Sequence, residues 1–354
     1  MRIDLLSFAI GVLATAATTH ARPDTAPPTQ SAEARQAFKS YQQLRDYYAE
    51  RQRRVMDQLL GEQVAALEQF IETARGDDLE NAYRDLIAAA MSLGRYGRAI
   101  ELAGEYRQAF GGAARATMVA ALRVQALTEL GRLDEAAAEW KNLAGTPLPE
   151  DVTSVFDAGL RVGDSYLLAG QVGSARRQYE ELRRRMGHVP NVAPILDRRE
   201  GALSWIGKEA PALAGEDLAG RPVRMDEYRG KVVLLDFWAT TAPPAVHQMP
   251  ELVQTFYGYR RQGFEIIGIS LDVDGRALKN FVATAKIPWR QLFDGRASAG
   301  PNAVAYGVKA VPTQFLIGRD GKIAFMPISM DDLHYAVPKL LNARAPTPPH
   351  GTDR

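Results

Sequence analysis

Asp236, Thr240, Thr241 and His247 bracket or lie within the stretch FWATTAPPAVHQMP (237–250), and between them they hold the ingredients of acid–base and hydroxyl chemistry. An imidazole can take the proton of a threonine hydroxyl, and a carboxylate can orient that imidazole. No Ser, Thr or Asp stands at a recognisable motif position relative to His247, however, and Thr240 and Thr241 are candidates by proximity alone. Thiol chemistry is closed to this chain, because none of its 354 residues is cysteine. That excludes a disulfide-exchange nucleophile, a thiolate metal site, a disulfide and an acylated N-terminal cysteine. The five histidines, at 20, 188, 247, 334 and 350, show no paired metal spacing, so no metal is expected. The acidic run LDVDG (271–275) lacks the further ligands of a calcium loop and reads as a strand end followed by a helix cap. No cofactor site emerges.

Charge narrows the partners. Forty-three Lys and Arg against 42 Asp and Glu leave a net charge of +1, which gives no argument for nucleic acid or an anionic membrane. The triplet RRR at 183–185 points in several directions on a helix and reads as a solvated face.

The elements that position the 237–250 stretch lie on both sides of it. KVVLLDFWA (231–239) and FEIIGISLD (264–272) are near-continuous apolar runs, the pattern of central parallel strands buried on both faces. PTQFLIG (312–318) and GKIAFMPI (321–328) form two strands around a tight turn, an antiparallel hairpin. Helical segments are expected at 245–262, 275–286, 300–306 and 331–342. The result is an α/β sandwich around a mixed sheet.

From 32 to 187 the sequence is helix after helix, rich in Ala, Leu, Glu and Arg. LGRYGRAIELA (93–103), LGRLDEAAAEW (130–140) and AGQVGSARRQY (169–179) share one frame, which aligns Gly94, Gly131 and Gly170 and then Ala99, Ala136 and Ala175. Glycine ends one helix, alanine lets the next approach, and a larger residue such as Trp140 or Tyr179 fills the gap one turn later. The frame resembles a tetratricopeptide-type array, with an irregular helical bundle as the alternative. The fold class is therefore an all-helical repeat module followed by the α/β sandwich.

At the N-terminus, Arg2 precedes the apolar run LLSFAIGVLATAA (5–17), and a small residue follows at Ala21. This reads as an export signal over 1–21 with cleavage near Ala21, which places the protein in the periplasm or cell envelope. The run is short of a bilayer span, so a retained anchor is the runner-up. The expected boundaries are a linker at 22–31, helical repeats at 32–187, a second linker at 188–205, the α/β domain at 206–342 and a tail at 343–354.

IGKEAPAL, YRGKVVLLDFWAT, the Pro-Pro pair, MPEL and YGVKAVPTQFLIGRDGKI follow one another as they do in thioredoxin-like proteins. The C-terminal part most resembles the exported TlpA/ResA-type disulfide reductases, relatives of the redoxin and AhpC/TSA proteins. In that family the segment after the strand is Trp-Cys-x-x-Cys. The resemblance puts Thr241 at the tryptophan, Ala242 and Ala245 at the two cysteines, and Gln248 at an acid that tunes them. It also makes Asp236 the counterpart of a buried acid, read here as a satisfied core group. Val311-Pro312-Thr313 matches the loop whose proline is cis and whose backbone pairs with an extended substrate segment.

What the resemblance implies is a redox-inactive domain that binds protein or peptide partners without covalent chemistry. The expected groove is framed by Trp238, Pro243, Pro244, Val311, Pro312 and Thr313, and the repeat array offers a second surface. Two other classes stay open: an oxidoreductase acting through a partner that supplies thiols, and a purely structural domain that supports the array. Partner identity, oligomeric state and the orientation of the two modules are not fixed by the sequence.

Overall fold

The computed structural model describes residues 41–343, apart from 113–114, 146–150 and 328. The expected signal, the 22–31 linker and the tail beyond 343 lie outside the described residues. The chain divides into one unit through Leu59 and a second from Leu60 onward.

Three helical hairpins carry the repeated frame. After the long helix α1 (Tyr41–Thr73) come α2 (Gly76–Ser92), α3 (Tyr96–Phe110), α4 (Ala116–Glu129), α5 (Leu133–Leu143), α6 (Val152–Leu168) and α7 (Val172–Met186). Gly94, Gly131 and Gly170 each take a left-handed conformation, φ +68°, +73° and +73°, which a side chain would disfavour. They end α2, α4 and α6, and each turns the chain into its partner helix. Ala99, Ala136 and Ala175 are buried at the crossings, as are Trp140 and Tyr179. Both rings press on α6: a Cβ on Gly159 would lie 2.4 Å from Trp140, and one on Gly163 would lie 2.3 Å from Tyr179. Only glycine leaves room for them.

The first helices of the hairpins pack on one another, α4 broadly against α6 and α2 against α4. No contact of comparable extent joins the second helices α3, α5 and α7 among the described residues. The first helices α2, α4 and α6 therefore make up one face of the array.

Residues 188–205, expected as a linker in which ILDRREGALSW (195–205) crosses to the next domain as a short helix, carry helix α8 (Val192–Ala202), which packs on α7 and buries Leu196 and Arg199. The sheet follows: β1 (Val232–Trp238), α9 (Pro243–Tyr259), β2 (Phe264–Ser270), α10 (Gly275–Thr284), β3 (Arg290–Phe293), α11 (Pro301–Ala305), β4 (Thr313–Ile317), β5 (Ile323–Phe325) and α12 (Met330–Asn342). The strand order is β3-β2-β1-β4-β5, with β1, β2 and β3 parallel and β4 and β5 antiparallel. Every residue of β1 is buried, as its apolar run requires. Strand β3 was not expected from the sequence. It adds a short parallel edge, which the chain segment at Asp217 and Leu218 partly covers. Among the described residues, no helix is long and apolar enough to cross a membrane.

The array and the sheet belong to the same compact unit, and α8 joins them. Arg199 is 1% exposed, yet all its polar contacts are met. Its Nε and Nη2 donate to the two Asp164 oxygens at 2.8 and 2.9 Å, and Nη2 also donates to Asp332 of α12 at 2.7 Å. Tyr179 donates to Asp164 at 2.6 Å. Burial alone would favour losing the Arg199 charge, but the carboxylates of Asp164 and Asp332 outweigh it and hold the guanidinium charged.

Candidate functional site

Strand β1 delivers the candidate stretch to the rim of the sheet. The chain leaves β1 at Trp238, passes Ala239 and Thr240, and starts α9 at Pro243 with Ala242 in extended geometry as its N-cap. Proline suits the first helical position, where an N–H would have no partner. Beside this exit lies the start of β4, because the antiparallel register sets Phe237 opposite Thr313. Val311, Pro312 and Thr313 are thus brought next to the start of α9, and the Val311–Pro312 peptide is cis.

Around that junction the exposed surface is small and uncharged. Pro243 and Pro244 are exposed, and Ala242, Val311, Pro312 and Thr313 are half-buried. Ala245 is 2% exposed. Thr313 donates its hydroxyl to the Ala310 carbonyl at 2.7 Å. The main-chain N–H and C=O of Val311 have no protein partner among the described residues. Those groups stay available for an incoming strand.

Trp238, expected on the groove, is not there. Its ring is fully buried, packs on Phe281 and donates to Gln291 Oε1 at 2.9 Å. Strand β1 is covered on both faces, so its last residue is buried like the rest, on the side of Leu234 and Asp236. Thr240 is also engaged. Its amide and hydroxyl both bind the Asp272 carboxylate, the hydroxyl at 2.7 Å, and Ser270 binds the same carboxylate at 2.7 Å. Asp272 therefore ties the ends of β1 and β2 together. Asp274 caps α10 by accepting from the amides of Arg276 and Ala277. His247 and Thr241 are exposed, and His247 has no hydrogen-bonded hydroxyl or carboxylate among the described residues. Gln248 is half-buried on the same helix. The elements of a hydroxyl nucleophile with its base are present in the sequence but are not assembled.

Beneath the site runs a buried polar row that the sequence did not reveal. Asp236 stands between Gln314 on β4 and Gly268 on β2, and Gln291 on β3 follows in register. The Gln291 amide fills the space a Gly268 side chain would need, with Oε1 only 2.0 Å from the position of a Cβ. Gln314 donates to Asp236 Oδ1 at 3.0 Å. Asp236 Oδ2 and Gln291 Nε2 are buried without a protein partner. Asp236 is thus only half satisfied, not the fully paired core acid expected from sequence. Burial pushes its carboxyl up to about 6, against the smaller opposing effect of the Gln314 bond.

No group of three or more potential metal-ligating side chains occurs among the described residues. A cavity of about 240 Å³ is bordered by Leu213, Met225, Tyr228, Val233 and Ile317. Val233 and Ile317 lie at the far end of β1 and β4, so this cavity is remote from the α9 junction.

Residues 206–326 match the model of the AhpC/TSA family. A thiol-disulfide oxidoreductase ResA of Bacillus thuringiensis is 36% identical over 118 residues, covering 33% of this chain and 66% of the relative. A ResA of Halalkalibacterium halodurans is 32% identical over 123 residues, covering 34% of this chain and 68% of the relative. The chain thus spans about two thirds of the length of these relatives. Among solved structures, the thioredoxin domain of a Bacteroides vulgatus thiol-disulfide oxidoreductase is similar at 30% identity and TM-score 0.36, covering 38% of this chain and 97% of that one.

Proposed function

This chain belongs to the AhpC/TSA family, and from that premise we propose that its thioredoxin-fold domain recognises an extended segment of a protein partner without redox chemistry. The observation that carries the reading is the contrast at the α9 junction. Both positions that hold cysteines in the family are alanine, while the surrounding surface and the open main chain of Val311 remain. Strand addition uses main-chain groups for affinity and side-chain pockets for choice, so it needs no thiol. Thr241 and Gln248, in place of the family's tryptophan and acid, fit a surface no longer tuned for thiolate chemistry. Disulfide exchange requires an attacking thiolate and a resolving thiol, and this chain supplies neither. The domain would act in the cell envelope, delivered by the N-terminal leader.

The test is site-specific crosslinking in intact cells, with a photoreactive residue at 242, at 313, or at exposed Lys279 as a control. One common partner captured at 242 and 313 but not at 279 supports the reading. Equal capture at all three positions, or none at 242 and 313, rejects it. Insulin reduction by the purified chain above a heat-killed control would equally reject it.

The Arg199 cluster favours a second reading, in which the domain chiefly supports the helical array. Deleting 206–342 and retaining a cooperative, native melt of the array would count against that role.

A further inference from the structure

Helix α12 faces two ways. Leu333, Ala336, Val337, Leu340 and Leu341 are buried, and the helix packs on α9 and β1. Asp332, Tyr335 and Lys339 point to the array instead. Tyr335 bonds the hydroxyl of Ser165 and lies under the Arg161 guanidinium, 3.9 Å from its ring centroid. One turn on, Lys339 reaches Glu129 at 3.0 Å. Ser165 and Arg161 belong to α6 and Glu129 to α4, two of the first helices of the hairpins. The thioredoxin-fold domain thus lays α12 along α4 and α6, beside strand β5, which also packs on α6.

We propose that this face of α4 and α6 is a helix-binding site whose resident occupant is α12, so that the thioredoxin-fold domain acts as its lid. The partner it fits is an amphipathic helix that reproduces the Tyr335–Lys339 pattern: an aromatic hydroxyl for Ser165 and Arg161, and a cation one turn later for Glu129. The charged pair at the centre of the closed contact is suited to release, because Arg199 and Asp332 keep other partners when it parts. Arg199 retains both oxygens of Asp164, and Asp332 retains its cap on the amide of Ser329. Neither charge is stranded, which removes the main penalty for breaking a buried pair. Polar contacts of this kind between domains permit relative motion.

The cysteine-free sequence makes the test clean. Spin labels on Arg176→Cys in α7 and Lys279→Cys in α10 report the array-to-domain distance with no background labelling. The full chain is compared with Lys339→Glu, a partly exposed change that sets two acids together, and with Tyr335→Ala. The probe is a synthetic peptide of residues 329–343. The wild type should show one short distance and bind the peptide weakly. Lys339→Glu should add a longer-distance population and bind the peptide at least about tenfold tighter, since apparent affinity scales with the open fraction. An unchanged distance in both folded variants overturns the lid. A longer distance without peptide binding overturns the helix-binding site. Peptide binding by the wild type as tight as by the variants overturns the occlusion.

Discussion

Asp164 and Asp236 are two buried carboxylates in one compact unit, and the molecule treats them oppositely. Asp164, at the seam between array and sheet, receives two bonds from Arg199 and one from Tyr179. Asp236, under the α9 junction, receives one amide from Gln314 and leaves its other oxygen bare. The difference separates what is built for stability from what is not. A buried charge persists either because its partners are complete or because something other than folding maintains it. The seam meets the first condition, and the junction does not.

The largest test of that contrast is Arg199→Ala. It leaves buried Asp164 with the Tyr179 bond alone and without its cation, so a loss of about 3–5 kcal/mol is expected in urea unfolding. An unchanged melt would abolish the distinction between the two sites. Next comes Gly163→Ala, whose Cβ would meet the Tyr179 ring and disturb its bond to Asp164. Overpacking of this kind costs about 1–3 kcal/mol, and Tyr179→Leu in the same background should recover part of it.

Asp236→Asn tests the other side and should have the opposite sign. The folded carboxyl, raised to about 6 from an ordinary value near 3.8, holds its proton more tightly than the unfolded chain does. Its contribution is therefore full below about pH 4 and is lost as pH rises through 6. The amide variant should match the wild type near pH 4 and exceed it by about 2 kcal/mol at pH 8. Destabilisation at pH 8 would show that the charged group has a structural partner after all. The smallest effects belong to the junction itself: Ala242→Cys and Ala245→Cys should each shift stability by less than about 1 kcal/mol. Iodoacetamide should modify the first quickly and the second slowly, because Ala242 is half-buried and Ala245 is 2% exposed.

Much of the fold was legible because burial on both faces writes itself as an apolar run, as in β1 and β2. The helical hairpins were legible because the positive φ at Gly94, Gly131 and Gly170 demands glycine at the end of each first helix. Strand β3 escaped notice because its four residues pair Arg290 and Gln291 with Leu292 and Phe293, too short a run to show a periodicity. Trp238 was misplaced because its hydrogen-bond partner Gln291 lies 53 residues away, beyond any local periodicity. Arg199 sat in an expected linker, and nothing local announces that a charged residue will be buried. Its partners Asp164 and Asp332 come from the repeat and from the last helix, so only the folded chain reveals the set.

The two glycines of α6 carry a consequence for how the gene can vary. Gly159 and Gly163 are four residues apart, and each receives a ring from a different neighbouring helix. Inserting or deleting one codon between them would turn one site by about 100° relative to the other. One ring would then lose its socket. Homologous genes should keep a fixed reading length across 159–163, even where substitutions accumulate on the outer faces of the same helix.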